Sequence, residues 1–145
     1  MSHDPQPQWQ PIRALPTLAY AIDGMLEAVQ ENLVSLEQAR PRPHILDNAT
    51  VARVIDVYTR QQADMPLYDE QLQRWKTSTI TTAQRKEVER LQGQVQKLRT
   101  ALAAVLTLAD ELSRGTIDTI LAKSDMQVGL DYLMRGGLGD EGKDK

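Results

Sequence analysis

The chain has 145 residues, a net charge of −3, 41% hydrophobic residues, and neither cysteine nor phenylalanine. That length suits one domain around a single core. The missing cysteines exclude disulfides, thiolate metal ligands and a cysteine nucleophile, and the acidic balance excludes a general attraction to nucleic acid or an anionic membrane. The large aromatics are Trp9, Tyr20, Tyr58, Tyr68, Trp75 and Tyr132, so the core must come from Leu, Ile, Val, Ala and Met, which favours helix-on-helix packing over a sheet. With no basic start leading into an apolar run and no apolar stretch of membrane-spanning length, a cytoplasmic protein without membrane contact is expected.

Residues 1–14, rich in proline and glutamine, read as a mobile arm in which Trp9 is the one packing residue. A first helix is predicted from Pro16, at home in an opening helical turn, to about Ala39, before Pro41 and Pro43. Its stripe of Leu18, Ile22, Met25, Val29 and Leu36, widened by Leu26 and Leu33, is broad enough for two neighbours. Asn32 lies in the seam, where it either fixes register or faces water at the rim. Asp47 is placed to cap a second helix carrying Val51, Val54, Ile55 and Tyr58. That helix is expected to kink or restart at Pro66, giving a third, short helix with Tyr68, Leu72 and Trp75.

Thr81 and Gln84 form the pattern of a capping box that opens a long helix over about 81–114, with Gly115 as its predicted stop. From Val88 to Leu112 its apolar residues keep an unbroken three-and-four spacing. The seam Val88, Leu91, Val95, Leu98, Leu102 and Val105 resembles one side of a coiled coil, and a seam of that length must be buried against another helix, either a second copy's, favoured because the seam overhangs the shorter first helix, or the first or second helix of the same chain. Two short helices, 116–123 and 124–134, should close the domain 15–135, and residues 136–145 read as a disordered tail. The fold class expected is therefore all-α, an up-and-down helical bundle of four or five helices with one long coiled-coil-like helix.

Chemistry is sparse. Gly137-Leu-Gly-Asp-Glu-Gly142 spells a dinucleotide fingerprint but has neither the strand before it nor the helix after it that make the fingerprint work. His3 and His44 are the only histidines and stand far apart, and no carboxylate has a histidine three residues on; no metal or cofactor site and no catalytic residue is assigned. Charge, however, is uneven. Residues 74–99 hold seven basic and two acidic groups. Arg85, Lys86, Arg90, Lys97 and Arg99 could meet phosphates if doubled in a dimer, although no aromatic interleaves them for base stacking. The reading that follows is a non-enzymatic interaction or self-association module, a homodimer or a partner-helix binder, with its seam at Val88–Val105. The alternatives are a nucleic-acid-binding accessory factor using the basic stripe, and an enzyme or small-ligand binder with a pocket in the bundle near Tyr20, Tyr58, Tyr68 or Trp75.

Overall fold

The computed structural model describes residues 8–42 and 46–134, with side chains described as far as residue 115. The predicted arm before Gln8, His44 and the tail 136–145 lie outside the described residues. After a short 3₁₀ turn at Ile12–Ala14 come α1 (Leu15–Ala39), α2 (Asn48–Lys76) and α3 (Thr82–Met134). Among the described residues there are three α-helices where four or five were expected.

Two of the predicted breaks do not occur. Pro66 lies inside α2. It lacks the amide that would bond the Gln62 carbonyl, but both residues are on the exposed side of the helix, so that carbonyl is left to solvent and not orphaned in the core. The apolar period meanwhile passes straight through: Val51, Tyr58, Met65 and Leu72 are all buried, and recur at every seventh residue. Gly115 likewise sits within α3. Glycine in a helix interior costs only about 1 kcal/mol relative to alanine, and no proline follows to enforce a stop. The two short helices expected after it are the continuation of α3, and their apolar side chains lie outside those described.

The caps, by contrast, fall where the sequence puts them. The Asp47 side chain accepts a 2.6 Å hydrogen bond from the Thr50 amide. Thr81 and Gln84 satisfy one another reciprocally, with the Thr81 amide donating to Gln84 Oε1 at 2.9 Å and the Gln84 amide to Thr81 Oγ1 at 3.0 Å. The end of α2 is closed from the next helix, since Arg85 Nη1 donates to the Lys76 carbonyl at 2.6 Å; a cation there also complements the helix dipole.

Cross-helix bonds fix the directions. Asp23 meets Arg90 near one end of α1 and Arg40 meets Glu111 at the other, so α1 and α3 run parallel. Lys76 meets Glu89 and Asp69 meets Arg99, so α2 runs antiparallel to both. The result is an up-down-up bundle. α3 packs along both other helices, while α1 and α2 approach each other far less closely. The core holds α1 residues Leu15, Ile22, Val29 and Leu36, the α2 row from Val51 to Leu72, and the α3 seam.

Candidate functional site

The long seam belongs to the chain's own core. Val88, Leu91, Val95, Leu98, Leu102 and Val105 each have 0% exposure, because α1 covers one flank of α3 and α2 the other. Of the two coverings open to the seam, a second chain or helices of the same chain, the second is the one seen here. The spacing demanded a partner helix, and folding supplies two from within the chain.

Three of the five basic candidates are also committed internally. Arg85 caps α2. Arg90 forks onto both Asp23 oxygens at 3.1 and 2.8 Å and onto both Glu87 oxygens at 2.8 and 2.9 Å, and Gln94 Nε2 adds a 3.0 Å bond to Asp23. These bonds from Arg90, joined at Asp23 by Gln94, hold the Asp23 and Glu87 carboxyls below their ordinary range and push the guanidinium pKa up. Arg99 pairs with Asp69. Lys86 and Lys97 remain exposed on the surface of α3. Of what reads in sequence as one basic stripe, Arg90 and Arg99 are thus the positive half of ion pairs that hold α3 to its neighbours, and Arg85 caps the helix before it.

The groove between α1 and α2 is where the fold leaves an opening. A cavity of about 370 Å³ lies there, walled by Leu18 and Ala21 of α1, by Leu67, Tyr68 and Trp75 of α2, and roofed by Trp9. Leu67 and Tyr68 are partly exposed within it, and burial, aided by the negative charge of Asp64, pushes the Tyr68 hydroxyl pKa up. Residues 8–11 are tethered across one end. The Gln10 amide donates to Gln71 Oε1 at 2.6 Å, Trp75 Nε1 donates to the Gln10 carbonyl at 2.8 Å, and Gln71 Nε2 reaches the same carbonyl at 3.4 Å. Arg74 stacks over the Trp9 ring with its guanidinium carbon 4.4 Å from the centroid, a cation–π contact. Pro11 has φ −69° and ψ 160°, the polyproline II conformation.

Of the segment 1–14 read as a mobile arm, Trp9 and Gln10 are held against α2 and Ile12–Ala14 form the 3₁₀ turn. Of the aromatics singled out in the sequence, Tyr68 and Trp75 do line the cavity. Tyr58 is instead buried, where its hydroxyl accepts from Asn32 Nδ2 and bridges α1 to α2, and Tyr20 is 84% exposed. Sequence reasoning missed Gln71. Its signal was its position on one helix face with Leu67 and Trp75, a polar residue four places from each of two large apolar ones.

No protein-family model, curated protein or solved structure matches the chain. Among the described residues no group of three His, Asp or Glu side chains could hold a metal ion, and no helix is long and apolar enough to cross a membrane.

Proposed function

We propose that the chain is a non-catalytic association module whose interface is the far end of α3, and that a second copy is its partner. One observation carries this reading: α3 outruns both helices that sheathe it. Arg40, immediately after α1, bonds Glu111, so α1 ends at that level. The Asp69–Arg99 pair sets the antiparallel register of α2, which brings Asn48, the first residue of α2, level with about residue 120 of α3 at equal rise per residue. α3 continues to Met134, a further 20 Å or so at 1.5 Å per residue.

A bare helical stretch of that length is marginal in water on its own. The sequence there carries Met126, Leu130 and Leu133 at helical spacing, a pattern that asks for another helix. A second copy brings the same segment, and two of them would form a closed, self-complementary pair. The associative role thus passes from the Val88–Val105 seam to the turns that follow it.

The test is mass by light scattering across a concentration series, comparing the parent chain with a Leu130→Asp/Leu133→Asp variant. The parent should exceed the 16.3 kDa monomer and the variant should not, while both keep the thermal transition of the bundle. A parent that stays monomeric at every concentration, or a variant that still associates, overturns the proposal.

A further inference from the structure

We infer that the α1–α2 groove is a recognition site for an extended, proline-flanked aromatic segment of another polypeptide, occupied in cis by residues 8–11 until such a segment displaces them. The bonds that hold the arm are bonds to main chain. Gln71 addresses both the amide and the carbonyl of Gln10, and Trp75 Nε1 addresses the same carbonyl. A side-chain amide paired with one residue's N–H and C=O reproduces half of a strand pairing, while an indole N–H on a carbonyl that precedes proline is suited to a polyproline II ligand in an aromatic groove. Neither reads the identity of residue 10.

What is read lies on either side of it. Arg74 offers its cation to an aromatic ring at position 9, a match between positive charge and ring face. Pro11 itself is held extended, just before the chain turns at Ile12–Ala14.

The cis occupant also leaves space. With the arm seated, about 370 Å³ remains open beside it, walled by Leu18, Ala21, Leu67 and Tyr68. A segment with a bulkier apolar residue before the aromatic one would bury those walls as well as reproduce the clamp. Burial of one more large apolar side chain adds to the affinity. That gain is what allows a segment in trans to compete with an arm whose tether gives it an effective concentration in the millimolar range.

The experiment opens the site in the full chain. Trp9→Ala with Gln10→Pro removes the stacked ring and the clamped amide from the arm, and leaves Trp75 as the chain's one tryptophan, its emission reporting on the groove. The probe is a synthetic peptide of residues 4–12 carrying Trp9→Phe. It should produce a saturable change in Trp75 emission in the opened variant. The parent, closed by its own arm, should bind the same peptide at least about tenfold more weakly, read by the change in anisotropy of a dye on the peptide.

Adding Gln71→Leu to the opened variant should abolish binding while far-UV circular dichroism stays unchanged, and so should N-methylation of the peptide at Gln10. If the parent proves to be a dimer that the peptide converts to monomer, the site stands and the partner segment is a second copy's arm. No saturable change in the opened variant, or equal binding with and without the Gln71 amide, overturns the inference. Neither result depends on α3 beyond Glu111.

Discussion

The two interfaces made by α3 and the one between α1 and α2 are built on different principles. Along α3 every seam position from Val88 to Val105 is sealed, and the rims are tied by charged groups, Arg90 to Asp23 on one flank and Arg99 to Asp69 on the other. Between α1 and α2 the hydrogen-bond tie among the described residues is uncharged, from Asn32 to Tyr58, with the arm clamped to α2 at Gln10, and the surface beside them is an open apolar groove. The difference shows how a three-helix bundle can divide labour. One helix with apolar residues on two flanks organises the core, so the remaining pair is relieved of close packing and can keep a groove for recognition.

That contrast is broken most directly by cutting into the seam. Leu98→Ala removes a side chain with 0% exposure and should cost about 2–5 kcal/mol by lost transfer energy plus a residual cavity. Leu67→Ala, which shortens a half-exposed wall of the groove, should change stability by no more than about 0.5 kcal/mol. Urea unfolding of the two variants measures both. Equal losses would mean that the groove is part of the core and that the division does not hold.

The seam was legible in the sequence because a strict three-and-four spacing over so many turns has one physical meaning, namely burial against helices. Which helices was not legible. The row in α2 that completes the burial, from Val51 to Leu72, is interrupted in sequence reading by Pro66, and a proline's effect depends on whether its face is wet, which spacing alone does not show. The helix caps at Asp47 and Thr81 were legible because their bonds are local. The groove was not, because the Gln10 clamp joins residues that are far apart in the chain and involves the main chain of a segment whose composition signals disorder. The charged residues misled for a related reason. Arg90 and Arg99 read as a free stripe until folding brings Asp23 and Asp69 against them.

A gain in stability would sharpen the same contrast from the outside. Gly24 on α1 and Gly93 on α3 are exposed helical positions, and a Cβ built on either meets nothing within 4 Å. Gly93→Ala and Gly24→Ala should therefore each stabilise the fold by about 0.5–1 kcal/mol, because alanine loses less backbone entropy on entering a helix. Thermal midpoints that rise for both variants, additively when the two are combined, place these sites outside the tight interfaces. A fall at either position would show that its helix, α1 at Gly24 or α3 at Gly93, needs close approach there.

The smallest expected effect tests whether the charged rims act as their geometry indicates. At neutral pH, Arg90→Met should cost only about 0.5 kcal/mol, since the groups it pairs are partly exposed and screened. Its signature lies in acid. Asp23 and Glu87 are held below the ordinary carboxylate range by hydrogen bonds from Arg90, with Gln94 contributing at Asp23. The unfolded chain therefore takes up protons at these sites at higher pH than the folded one. Their stabilisation is present above the unfolded values, near pH 4, and is lost as pH falls through the lower folded values. Asp47, lowered by its hydrogen bond from Thr50, adds a contribution of the same sign that owes nothing to Arg90. In Arg90→Met the decline of the urea midpoint with acidification should flatten without vanishing, because the Asp47 share persists. A decline as steep as the parent's would assign the acid sensitivity to the helix cap and the Gln94 bond to Asp23 and leave Arg90 without a part in holding α1 to α3. A decline that disappeared would mean the cap contributes nothing, and that all of it runs through the rim between those two helices.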